Sequence, residues 1–190
     1  MPRIRPLDDH EVPDPVRKEY DRQIAARGRM TNMKRTLAHS EVALRALMEW
    51  YVLRDEVRPF LGQRLADVFV HAISSETDCL ICSTFFRRIL IDAGEDPDDL
   101  SLDEREQVVV AFGRQLAKDS NRVSDPLYQA LGRYFTPPQI VALTAFGALM
   151  IATNVFNNAL NVDLDDDLKP YRKGAGPTTS KSPVGGKGGS

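Results

Sequence analysis

An all-α fold is predicted from three features of the sequence. Apolar residues recur at helical spacing, start and stop residues bracket the periodic segments, and no segment shows the strict alternation of a half-buried strand. At 190 residues, with 42% hydrophobic and 27% charged side chains, the chain also has the size and composition of one soluble globular domain.

Each helix is read from its own signals. Asp14 followed by Pro15 gives an N-cap and a proline at the first helical position, Val16, Tyr20 and Ile24 repeat every fourth residue, and Gly28 supplies the stop. Ser40 caps a second helix whose apolar side, through Leu44, Leu47, Met48 and Tyr51, runs to Arg54. Pro59 opens a third, with Leu61, Leu65, Val68 and Ala72 on one stripe. Thr77 or Asp78 caps a fourth that carries both cysteines and ends near Gly94. Ser101-x-x-Glu104 has the form of a capping box before Val108, Val109, Phe112 and Leu116, and Asp125-Pro126 starts a short helix to Phe135. Thr136-Pro137-Pro138-Gln139 begins a last helix ending near Leu160. It is apolar all round, so it is expected to be covered on every side, partly by a second subunit.

Residues 1–168 are expected to form the folded domain and 169–190 a flexible tail. From Lys169 onward there are five basic residues and no acid, and six of the twelve glycines follow Lys173, a composition that cannot offset the entropy of ordering. The body holds 20 basic against 27 acidic groups, a balance that argues against nucleic acid. Ile140 to Ala152, interrupted by Thr144 and Gly147, falls short of the roughly 18 apolar residues of a membrane span, so no membrane association is expected. Met1 to Arg5 lacks the apolar run of a signal peptide, which points to the cytoplasm.

The chemistry concentrates in Glu76-Thr-Asp-Cys79-Leu-Ile-Cys82-Ser-Thr-Phe-Phe86. Two cysteines are too few for a disulfide scaffold, and a C-x-x-C in a cytoplasmic chain points to redox chemistry or metal. At a helix start the first thiol lies near unpaired backbone N–H groups and the positive end of the helix dipole, which favour thiolate. Three residues make about one turn, so one sulfur can attack and the other resolve the product as a disulfide. Glu76 and Asp78 oppose the thiolate, while Arg87 and Arg88 come one to two turns later. Two inert buried thiols, or half of a metal site, are the other readings; zinc would need two more ligands, and the sequence has no second C-x-x-C and no H-x-x-x-H. No G-x-G-x-x-G, P-loop or H-E-x-x-H is present, so no cofactor and no metal is expected.

The order of elements, the run Arg35-Thr36-Leu37-Ala38-His39-Ser40, the C-x-x-C helix, the Asp103-Glu-Arg-Glu106 helix start and Asn154-x-x-Asn157-Asn158-Ala-Leu-Asn-Val162 together resemble the carboxymuconolactone decarboxylase and alkylhydroperoxidase-D-like superfamily over residues 1–168. The resemblance implies an all-α fold that assembles as a trimer or hexamer. In peroxidase members it implies a cysteine pair served by a glutamate and a histidine, with Cys82 as the attacking thiol and Cys79 as the resolving one. The implied substrate is a hydroperoxide or another small molecule, and a dithiol reductant restores the pair.

At the glutamate's place, twelve residues before Cys79, this chain has Asp67; at the histidine's, four after Cys82, it has Phe86, which can neither accept nor deliver a proton. Asp67 and His71 stand i, i+4 on one helix face, so His71 held by Asp67 is the candidate substitute relay. The site is therefore read as Cys79, Cys82, Asp67 and His71, in a thiol-dependent peroxidase or disulfide oxidoreductase. The alternative is a decarboxylase or lactone-processing enzyme, or a non-catalytic oligomeric relative. Asn154, Asn157, Asn158 and Asn161, at helical spacing, are expected to line a polar interface or pocket base or to satisfy buried backbone, and Trp50, Tyr51, Phe85 and Phe86 to be core or pocket wall.

Overall fold

Helix boundaries in the structure, a computed structural model that describes residues 1–174, fall where a side chain or a left-handed residue satisfies the end groups. Among the described residues the chain forms nine α-helices, short 3-10 turns and no strand, as the sequence predicts. α1 (Asp14–Arg27) has Pro15 in its first turn and stops at Gly28, whose φ of 78° is left-handed. The hydroxyls of Thr31 and Ser40 accept the N–H groups of Lys34 and Ala43, capping α2 (Asn32–Leu37) and α3 (Glu41–Met48).

Several boundaries differ from the sequence expectation. The helix expected from Ser40 to Arg54 is two, because α3 ends at Met48 and α4 (Trp50–Leu61) then runs through Pro59. Pro59 lies in the last turn of α4, where its missing N–H costs one helical bond. The break comes instead at Gly62, with φ 83° and ψ 158°, a conformation open to glycine, and α5 (Gln63–Glu76) follows. Asp78 is left-handed, at φ 51°, so Cys79 itself becomes the N-cap of α6 (Leu80–Asp92). The capping box of α7 (Glu104–Asp119) is Asp103 with Glu106 rather than Ser101 with Glu104: Asp103 accepts the Glu106 N–H at 2.8 Å, and Glu106 accepts the Asp103 N–H at 3.1 Å. Ser124 caps α8 (Asp125–Gly132), and Thr136 with Gln139 opens α9 (Pro137–Leu160).

α5 is the hub, packed against α4, α6, α7 and α9. Its Phe69 is wholly buried and stacks on Phe146 of α9 with ring centroids 6.0 Å apart. Gly113 of α7 and Gly147 of α9 permit this approach, since a Cβ at either would stand 2.8 and 3.0 Å from the Phe69 ring. α9 is long and apolar enough to cross a membrane by length and composition, yet Leu143, Phe146 and Met150 on its inner face belong to the protein's own core. Its outer face exposes Val141, Ala148, Ala152, Val155 and Ala159 in one stripe.

The chain ends are tied to this body. The Arg3 N–H donates to the Leu160 carbonyl at 2.9 Å, the Leu7 N–H to the Arg35 carbonyl at 3.3 Å, and His39 Nε2 lies 2.9 Å from the Arg5 carbonyl. After α9, a 3-10 turn over Asp166–Tyr171 buries Leu168, and the Tyr171 hydroxyl donates to Asp92 at 3.2 Å. The 3-10 turn spans the expected boundary at residue 168, and most of the tail expected over 169–190 lies outside the described residues.

Candidate functional site

The turn between α5 and α6 delivers the two cysteines. Thr77 ends α5, left-handed Asp78 reverses the chain, and Cys79 then opens α6 with Cys82 in its first turn. Both are free thiols and both are buried. Cys79 is 1% exposed and Cys82 is 5% exposed, and Cys82 is the one of the two that lines the aromatic cavity described below.

The two sulfurs lie near one another and bias each other's protonation in opposite directions. The Cys82 thiol and the N–H groups of Cys82 and Ile81 at the start of α6 favour the charged form of Cys79, lowering its pKa. Beside that developing charge, and buried, the Cys82 thiol is pushed up and holds its proton. When the pair loses a proton, these influences favour the charge on Cys79 and the remaining proton on Cys82.

Asn157 of α9 connects the two. Its side-chain N–H group donates to Cys82 Sγ at 3.2 Å and reaches Cys79 Sγ at 3.9 Å and Met33 Sδ at 3.4 Å. One turn earlier, Asn154 donates to the Thr77 hydroxyl at 2.8 Å, and one residue later Asn158 donates to the Thr77 carbonyl at 3.0 Å. The asparagine row of α9 therefore pins the cysteine turn and gives the sulfurs a donor. The sequence marked these amides as a pocket base or as backbone partners; that one of them meets the thiols depends on α9 crossing the start of α6.

The cavity above Cys82 has a volume of about 80 Å³ and walls that are almost wholly apolar, among them Trp50, Tyr51, Phe85, Phe86, Met48 and Met150. Phe86 packs with its centroid 5.9 Å from Trp50 and 5.2 Å from Phe85. The position where the resembled family carries a histidine is thus part of an aromatic box rather than of a proton path.

The structure does not bring Asp67 and His71 together. Asp67 turns back along α5 and accepts from Gln63 Nε2 at 2.6 Å, with Arg54 and Arg58 of α4 as its charged neighbours. Burial raises its pKa above the usual carboxylate range. His71 lines a second cavity, of about 650 Å³, with Arg87, Arg114 and Asp98, and neither cysteine lines that cavity. Burial and the Arg87 charge push the His71 pKa down to about 4, leaving a neutral imidazole at neutral pH. Spacing of i, i+4 placed both residues on α5, but side-chain direction separates them. α6 is the partition: Ile81, Cys82, Phe85 and Phe86 face the aromatic cavity, while Leu80, Ser83, Thr84 and Arg87 face the cavity of His71.

Among the described residues no group of three or more His, Cys, Asp or Glu side chains is placed to hold a metal ion.

No protein-family model and no curated protein sequence matches the chain. Solved structures match over most of its length. A peroxidase-related protein from Ralstonia eutropha JMP134, described as an alkylhydroperoxidase D core, superposes with a TM-score of 0.67 at 18% identity, covering 89% of this chain and 95% of that one. The debrominase Bmp8 gives a TM-score of 0.73 at 15% identity, covering 88% and 95%. A cysteine-to-alanine variant of it in complex with 2,3,4-tribromopyrrole gives 0.72 at 16% identity, covering 88% and 94%. The all-helical order of elements and these superpositions agree, and the chain has the alkylhydroperoxidase-D-like helical fold.

Proposed function

We propose that the protein is a thiol-dependent oxidoreductase in which Cys82 attacks a small apolar substrate and Cys79 resolves the product. The observation that carries this reading is that Cys82 lines an aromatic cavity while Cys79, which does not line it, is the sulfur favoured as thiolate. Cys79 then does what the absent histidine cannot: it accepts the Cys82 proton as Cys82 attacks. With a hydroperoxide, the Cys82 sulfur bonds to the terminal oxygen, the O–O bond breaks, and the departing alkoxide takes up a proton. Cys79 next attacks the Cys82 sulfur, its own proton passing to the hydroxide that leaves as water, and a disulfide remains. The substrate gains two electrons and the pair loses two. A dithiol reductant reopens the disulfide, and such a cycle suits a reducing compartment such as the cytoplasm.

The apolar walls favour an organic hydroperoxide over hydrogen peroxide, because its hydrocarbon part buries apolar surface against them. A second reading, reductive dehalogenation of a halogenated ring, is favoured by the same box and by the debrominase among the similar structures. Cumene hydroperoxide is expected to consume both thiols and leave an intramolecular disulfide, at least about tenfold faster than hydrogen peroxide. Thiol titration with intact-protein mass measurement checks this; two thiols that stay unreactive until the protein unfolds would sink the redox reading.

The outer stripe of α9 supports a homo-oligomer, a trimer or a multiple of it, as the covered form of that apolar face. Light scattering is expected to give the mass of at least three chains at micromolar concentration, and a mass near one chain would contradict it.

A further inference from the structure

The cavity lined by Cys82 is also lined by a buried lysine that has no ion pair among the described residues. Lys34 is 3% exposed and lines the aromatic cavity, yet its ammonium group has neither an ion pair nor a side-chain hydrogen bond among the described residues. Buried lysines are normally paired, because the desolvated charge otherwise goes unrepaid. Its surroundings add to the cost. The Tyr51 ring has Lys34 Nζ at 5.1 Å from its centroid, the Arg27 guanidinium at 3.8 Å and the Arg54 guanidinium at 5.2 Å. Arg27 makes no ion pair among the described residues, and Arg54 pairs with Asp55, its neighbour in sequence, at 3.4 Å and has the Asp67 carboxyl as a further charged neighbour. Asp165 lines the same cavity but accepts the Asn32 N–H through Oδ1 at 2.9 Å, is not within ion-pair distance of Lys34, and leaves Oδ2 buried and unpaired. Three cations gathered on one aromatic ring repel one another, and the ring quadrupole repays each only in part.

We propose that the Lys34 side of this cavity is a subsite for an anionic group, so that the substrate is a small aromatic acid or a phenol bound as its anion, its ring in the aromatic box above Cys82. The charge distribution selects the chemistry: an apolar box accepts the ring, and one unpaired ammonium at its edge accepts a single carboxylate or phenolate oxygen. Cys82 lines the same cavity, within which the reactive substituent of such a ring would meet it. Burial, assisted by Arg27 and Arg29, holds the Lys34 pKa down to about 8, and a bound anion would raise it. The subsite names the substrate class of the oxidoreductase reading and rests on that reading only for the reaction at Cys82; binding is tested apart from any reaction.

The sole tryptophan, Trp50, lines the cavity, so its fluorescence reports occupancy. Benzoate and benzamide, equal in shape and differing in charge, are titrated against the reduced full-length protein. Benzoate is expected to bind at least about tenfold more tightly than benzamide. Lys34→Met is expected to remove that preference while leaving benzamide unchanged, and Lys34→Arg to retain most of it. Equal affinities for the two probes, a Lys34→Met variant that keeps the preference, or no binding of either probe overturns the subsite.

If Lys34→Met does not fold, the wild-type pH series decides. Around Lys34 stand Arg27 and Arg29 from the end of α1 and the segment after it, Tyr51 and Arg54 of α4, Asp165, and the Cys79–Cys82 pair. Burial keeps Tyr51 neutral beyond its ordinary range. Benzoate affinity should fall as the pH rises through about 8, with benzamide flat. A benzoate affinity constant from about pH 6 to about pH 10 overturns the proposal. The oxidoreductase reading fails separately, by thiols that hydroperoxide leaves intact.

Discussion

Cys82→Ser is expected to lower turnover at least about 1000-fold, whereas Cys79→Ser is expected to stop the protein after a single turnover. The asymmetry follows from position. Cys82 is the sulfur that lines the cavity, and a serine hydroxyl there has neither the polarisability nor the acidity to attack a peroxide oxygen. Cys79 is 1% exposed and does not line that cavity. Removing Cys79 therefore slows the first attack, by the roughly 100-fold or more of a lost base, but still permits it, and Cys82 remains as a sulfenic acid with nothing to resolve it. Intact-protein mass spectrometry after one equivalent of cumene hydroperoxide reads this directly, as one added oxygen per chain in Cys79→Ser and none in Cys82→Ser. Catalytic turnover surviving in Cys82→Ser would transfer the attacking role to Cys79 and contradict the geometry proposed for the site.

The sequence carried the fold in its local signals and lost the site where those signals depend on other helices. Gly28, Gly94 and the Thr136–Gln139 box announced their helix ends correctly because each acts within a few residues of chain. Pro59 misled because a proline is tolerated in a last turn as well as a first one, and what separates α4 from α5 is the φ of Gly62, which composition does not state. Asp103 and Ser101 were both able caps two residues apart, and Glu106 chose between them. The C-x-x-C was legible as chemistry. The partnership of Asp67 with His71 was a helix-face argument, and a face is not a contact: Gln63 took one residue and the Arg87 side of α6 the other. Lys34 carried no motif at all, and Asn157 was marked only as one of a row of amides, with nothing tying it to the thiols. Each gains its meaning from a helix far away in sequence, α9 crossing the start of α6 in one case and α2 closing over Tyr51 in the other.

Asn157→Asp is expected to slow thiol reactivity at neutral pH by about 100-fold, and it isolates the role of α9 in the chemistry. The Asn157 side chain is 2% exposed and donates to Cys82 Sγ at 3.2 Å, with Cys79 Sγ at 3.9 Å. The substitution keeps shape and removes the donor, which for a hydrogen bond to a charged acceptor is worth about 1.5–3 kcal/mol. It also sets a carboxyl against a sulfur that is to become negative, so either the carboxyl stays protonated or the thiolate is disfavoured further. Both effects act in one direction: the pH at which the pair loses its shared proton rises, and the thiolate fraction at neutral pH falls. Asn157→Leu removes the donor without adding charge and is expected to cost only about tenfold. The measurement is the rate of iodoacetamide alkylation against pH for the three proteins, alongside circular dichroism to show that α9 remains folded. A purely structural role for Asn157 would lower stability but leave the midpoint of the alkylation profile in place. A thiol-orienting role moves that midpoint to higher pH in Asn157→Asp and, by less, in Asn157→Leu, with the limiting rate at high pH recovered in both.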